Sequence, residues 1–324
     1  MTQEHNDAEE SDNHEYEEDT ACYRGTVMDI ITDADADGVG VKVIVLGHAL
    51  GEDRLRWIGD AAGPNVSMGD RVGLWGWYVC CKDEEGYACE IEQGLPRALA
   101  LIPSLALPEE ARPALKALVG LTEQLTYRPL LDFIDDALGA EDVYQLFFSR
   151  PASRACHHDR PGGLAIHSAE VATNVASLPE NQFSSPVGRQ CAIAAAVVQD
   201  IGKIELYGAG FINAGIAHES RGIKILGAAL MRLQAVDKNV GEFVEMLLDP
   251  SRQGRGDCPE KIVLSLADRM SACADASQKA FAQAPSWQAA TTLKIGDKKR
   301  LFFRPVARQS AQRGVAESKS KLSL

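Results

Sequence analysis

No Cys-x-x-Cys pair occurs among the eight cysteines of this 324-residue chain, which argues against a zinc ribbon and leaves free, packed thiols as the expectation. No apolar stretch approaches the roughly 18 to 20 residues that a membrane helix needs, so no membrane partner is expected. Residues 1–20 hold no Lys or Arg, which excludes a secretory signal and points to a cytoplasmic protein. There is no phosphate loop, no Gly-x-Ser-x-Gly nucleophile elbow and no kinase-like set. What remains is a chain of ordinary hydrophobic content, 45%, with room for two domains.

Charge is distributed unevenly. Residues 1–20 carry nine acids, so the rest of the chain holds only −4 of the net −13. Residues 293–324 carry nine Lys or Arg against Asp297 and Glu317. A near-neutral body thus has an acidic head, expected to be disordered, and a basic tail. Such a tail can follow a phosphate backbone or simply be solvated.

The expected organisation is a disordered acidic tail over 1–21, an OB-like β-barrel over 22–95 and a helical connector over 96–127. A helical domain over 128–285 and a short hairpin with basic tail over 286–324 follow. The barrel expectation comes from five β-branched and aromatic runs, Arg24–Ile31, Gly40–Leu46, Arg54–Ile58, Arg71–Cys80 and Tyr87–Ile91. Turn signals such as Asp37-Gly38 and Gly69-Asp70 separate them, and a small closed barrel fits five short strands. The acidic run from Asp33 to Gly38 is no calcium loop, because Ile44 stands where a bidentate Glu is needed. Trp57, Trp75 and Trp77 can stack on the bases of a single strand, or pack as core.

Helical patterns are expected over 165–178, 187–199, 216–235, 239–248 and 258–282, with a hairpin pairing 292–295 with 300–303. Three of the seven histidines fall in one segment, His157-His158-Asp159-Arg160-Pro161-Gly162-Gly163-Leu164-Ala165-Ile166-His167. His167 sits one turn into a helix. Asp200 follows the apolar run Ala194–Val198, and Asp268 follows Ile262–Ala267. An ionised acid ending an apolar helix turn is costly to bury unless paired or metal-bound. Lys203 is the candidate partner for Asp200, and a structural ion pair is the competing reading.

Residues from about 128 to 282 resemble the HD-domain phosphohydrolase superfamily, in particular the branch with a His-His-x-x-x-Gly-Gly-Leu-x-x-His segment. That branch includes the HD domain of H-class conjugative relaxases and 3′→5′ exoribonucleases that join an OB-fold to an HD domain. The resemblance implies a divalent metal held by His167, Asp200 and Asp268, with His218 as a possible second-metal ligand. The family's doublet His is replaced by Gln199, and no histidine follows near Asp249. Manganese, magnesium, nickel, iron and zinc all remain open, Gln199 suiting the first two.

The implied function is a metal-dependent phosphodiesterase or nuclease on single-stranded nucleic acid, with a link to conjugative or mobile elements. Asp200 would act at the metal, and Lys203 or His158 would steady the phosphate. Two alternatives stand beside it: a catalytically degenerate module that binds nucleic acid or protein, and a phosphohydrolase of small nucleotides.

Overall fold

The computed structural model describes residues 21–34, 40–60, 63–78, 86–95, 98–154, 157–206, 218–249, 258–295 and 298–306. The acidic head, the Asp37-Gly38 turn and residues 307–324 of the basic tail lie outside the described residues.

Strand periodicity builds the first unit. β1 (Ala21–Ala34), β2 (Gly40–His48), β3 (Gly51–Trp57), β4 (Arg71–Tyr78) and β5 (Gly86–Gln93) form a closed barrel in the order β1-β2-β3-β5-β4. All neighbours are antiparallel except β3 and β5. β1 serves two partners: Ala21–Thr26 pair with β4, and Thr26–Ala34 pair with β2. A bulge between Val27 and Asp29 marks the handover, where one extra residue bends and twists the strand. Alternate residues point inward, so Val27, Ile44, Leu46, Leu55, Val72 and Leu74 share one core. This architecture is consistent with the OB-like barrel expected.

A helical region follows: α1 (Arg112–Thr122), α2 (Arg128–Leu138), α3 (Glu141–Ser149), α4 (Gly163–Ala176) and α5 (Pro186–Val198). Then come α6 (Lys203–Leu206), α7 (His218–Val236), α8 (Lys238–Leu248) and α9 (Pro259–Phe281). α5 is the central element. Every residue from Cys191 to Val198 is buried, packed by α2, α4, α8 and α9, because a helix apolar on all sides has no solvent face. Its start is set by Ser185, whose side chain accepts from the Gly188 N–H at 2.9 Å, and by Pro186 in the first turn.

Barrel and helices meet through specific bonds. The Thr26 hydroxyl donates to the Leu101 carbonyl at 2.9 Å, and the Arg71 guanidinium donates to the Gly139 carbonyl at 2.9 Å. The chain ends its described course in a hairpin, β6 (Ala290–Ile295) and β7 (Lys298–Phe303), packed on α9. No described helix is long and apolar enough to cross a membrane.

Candidate metal centre

Three helical segments deliver the two expected acids and the imidazole to one place. His167 projects from the second turn of α4, Asp200 follows the C-terminus of α5, and Asp268 lies midway along α9. His167 Nε2 stands 3.1 Å from Asp200 Oδ2 and 3.0 Å from Asp268 Oδ1. One ligand atom from each of the three lies within 4.8 Å of the others, a spacing that suits donors around a single cation. One imidazole nitrogen and two carboxylate oxygens are also a donor set that divalent transition metals accept. The residues present therefore fit a divalent ion.

The start of α4 is shaped for this. Gly162 stands at φ 74°, a left-handed conformation that glycine adopts freely. A Cβ on Gly163 would meet the His158 carbonyl oxygen at 2.0 Å, so only glycine lets the His157-His158 loop lie against the helix. The loop then separates its two histidines. His158 is buried behind His167, where its Nε2 lies 3.2 Å from both Ser271 Oγ and Glu170 Oε2. His157 is half-buried and its ring centroid is 5.1 Å from that of His167. His157, not His158, lines the cleft above the triad.

A hydrogen-bond chain holds His167 from behind. The Ser271 hydroxyl donates to Glu170 Oε2 at 2.6 Å, so its oxygen accepts from His167 Nδ1–H at 2.9 Å. This leaves Nε2 as the nitrogen offered to the carboxylates. Ligating histidines commonly have such a partner on the other nitrogen, which fixes tautomer and ring orientation. Ser271 and Glu170 were not singled out in the sequence. The available signal was a matched i,i+3 spacing, His167 to Glu170 on α4 and Asp268 to Ser271 on α9, which places each pair on one helix face.

Electrostatics favour an ionised site. Burial alone would raise the Asp200 carboxyl, but Lys203 and the His167 and His218 hydrogen bonds hold it well below the carboxylate range. Lys203 Nζ is 2.7 Å from Asp200 Oδ2, and His218 Nε2 is 3.1 Å from Oδ1. Burial lowers the His167 pKa, yet the hydrogen bonds to Asp200 and Asp268 outweigh it and raise the pKa to about 9. His157 goes the other way, pushed down to about 4 by burial and then by His167 and Lys203, so its ring is neutral near pH 7. Gln199 caps α5 and reaches the cleft, but its buried Nε2 has no hydrogen-bond partner.

The triad lies under a cleft of about 730 Å³, lined in part by His157, Gln199, Lys203, His218, Asp268 and Arg269. Arg269 is exposed and has no acidic partner among the described residues. The barrel tryptophans are elsewhere and differ from one another. Trp57 is half-buried against the barrel core, and its Nε1–H donates to the Asp60 carbonyl at 3.2 Å. Trp75 is 40% exposed, but its cross-strand neighbours are Cys22 and the acidic Glu90. The side chains of Trp77 and Tyr78 lie outside the described residues. The five described cysteines, Cys22, Cys89, Cys191, Cys258 and Cys273, are free thiols. No protein-family model and no curated protein matches this chain, and the functional reading is carried by the geometry of the site.

Proposed function

We propose that this chain is an HD-type metal-dependent phosphodiesterase acting on single-stranded nucleic acid. The observation that carries the proposal is the convergence of His167 Nε2 with Asp200 and Asp268, at 3.1 and 3.0 Å, beneath an open cleft. His167, Asp200 and Asp268 would hold the cation, and His218, bonded to Asp200, stands next to them. A divalent ion bound there supplies acidified water and offsets charge building on phosphate oxygens.

The protein's own groups have separable tasks. Lys203 keeps Asp200 ionised and fixed, and it lines the cleft that a phosphate would enter. Arg269 adds a second positive charge to the cleft lining, suited to phosphate oxygens. His157, neutral at the rim, can give or take a hydrogen bond without repelling a cation. Ser271 and Glu170 orient the His167 ring.

A second reading, a binding module that has lost catalysis, is favoured by one specific feature. Lys203 and protonated His167 already balance the charges of Asp200 and Asp268, so the site is electrically complete with no ion. Gln199 in place of an imidazole points the same way. The two readings separate in a cleavage assay on labelled single-stranded RNA and DNA, run in turn with manganese, magnesium, nickel, iron and zinc. The enzyme reading expects product in at least one metal, and none from Asp268→Asn. Intact substrate throughout, or equal cutting by Asp268→Asn, rejects it.

A further inference from the structure

The β6–β7 hairpin is not used by the centre described above, yet it concentrates a distinct chemistry. Its register places Lys294 opposite Lys299, Thr292 opposite Leu301, and Ala290 opposite Phe303, all on one face. That face is exposed along its length. Like charges directly across an antiparallel pair are destabilising, so the Lys294–Lys299 pair works against the hairpin it belongs to. Lys298 and Arg300, opposite Ile295 and Leu293, are two more exposed cations, on the other face of the hairpin. None of the four has a carboxylate partner among the described residues.

At the other end of the same face Phe303 is 71% exposed, and Trp287, just before β6, is 73% exposed. Large rings left in water on the same face as a pair of cations are the two elements of a single-strand platform, phosphate charge and base stacking. The hairpin is also held in place. Arg304 lies 4.4 Å over the Phe281 ring at the end of α9, and its Nε–H donates to the Gln288 carbonyl at 3.0 Å. The opposite face carries half-buried Leu293, Ile295 and Phe302 beside the exposed Lys298 and Arg300, and the hairpin packs on α9.

We propose that this hairpin face is a docking surface for single-stranded nucleic acid, with Lys294 and Lys299 on phosphates and Phe303 stacking on a base. Charge complementarity favours a polyanion, and the exposed ring further along the same face favours one that carries bases. Among the described barrel residues, the exposed Trp75 stands beside the acidic Glu90 and not beside a cation pair. The proposal rests on the single-strand reading above but not on the metal centre.

The test is fluorescence anisotropy of labelled oligo(dT) and oligo(U) with the full chain, in chelator so that nothing is cut. The Lys294→Ser/Lys299→Ser variant is expected to bind about tenfold more weakly and to lose about 1.4 from the slope of log affinity against log salt, two phosphate contacts at roughly 0.7 each. Phe303→Ala is expected to weaken binding at least about fivefold with the salt slope kept. Thr292→Ala, on the same face without charge or ring, is expected to bind as the unaltered protein does.

Unchanged binding by the lysine and Phe303 variants overturns the proposal, as does equal weakening by Thr292→Ala, which would mark general damage to the hairpin. A duplex bound as tightly as the single strand overturns the single-strand assignment. If the lysine variant changes only the association state in sedimentation, the face belongs to a second copy. If deletion of residues 1–20 is what lets any strand bind at the hairpin, its resident occupant is the acidic head. Either result overturns the proposal too. Unaltered protein that neither binds nor cuts any strand rejects this surface and the enzyme reading together. Binding through the hairpin without cleavage leaves this surface standing and rejects only the enzyme.

Discussion

His167 serves two sets of neighbours at once, and each set constrains the other. Its Nδ1–H is committed to Ser271, whose hydroxyl is committed to Glu170, so Nε2 is what faces Asp200 and Asp268. Removing the hydroxyl breaks the chain in a buried place. Ser271→Ala should therefore destabilise the protein by roughly 1–3 kcal/mol, the cost of an unsatisfied buried donor. It should also weaken metal binding by about 10- to 100-fold, as loss of a ligand's outer partner does. Thermal melting and metal titration of the same variant check both; a change in stability alone would make Ser271 a packing residue. His167, Asp200 and Asp268 were legible in the sequence because ionisable groups on apolar helix turns are conspicuous. Ser271 and Glu170 were not, because a serine and a glutamate on helices are common and gain meaning only once α4 faces α9. Equally, a strand tryptophan reads the same whether it faces the core, as Trp57 does, or solvent, as Trp75 does.

Helix ends carry much of the positioning. α5 begins at Pro186, one residue before the expected 187, behind its Ser185 cap, and α4 begins at Gly163, two residues before the expected 165, behind the left-handed Gly162. The strands were visible as β-branched and aromatic runs between turn signals. A closed barrel was expected from their number and length, but their order was not, since β3 pairs in parallel with β5 and such runs say nothing about partners. The approach of α7 to the centre depends on Gly202. A Cβ there would meet the His218 carbonyl oxygen at 1.9 Å and the Gly222 nitrogen at 2.6 Å, both backbone atoms. Gly202→Ala should push the start of α7 away and cost about 1–3 kcal/mol by overpacking. It should also part His218 from Asp200, now 3.1 Å apart. A lowered Tm with a displaced His218 ring resonance is the expected result; an unchanged resonance would mean that α7 does not need this close approach.

At the scale of the whole molecule, the joint between barrel and helices contains a buried acid, Asp135, whose Oδ1 accepts from the Leu99 N–H at 3.0 Å. Burial raises its pKa from the ordinary 3.8 to about 6, although the Leu99 bond opposes the shift. A carboxyl raised on folding favours the fold when protonated. That contribution is complete below pH 3.8 and is lost as pH rises through about 6. At neutral pH its ionised form is thus a liability on the order of 2 to 3 kcal/mol. Asp135→Asn keeps an oxygen for Leu99 and should raise the Tm at pH 8 but not at pH 4; equal effects at both would contradict the assignment. The central claim concerns the triad, and the most direct test is calorimetric titration of manganese into chelator-treated full-length protein beside Asp268→Asn. One equivalent bound by the unaltered chain, with binding lost or greatly weakened in the variant, is the predicted result. No binding by the unaltered chain, or the same affinity and stoichiometry in both, would contradict it.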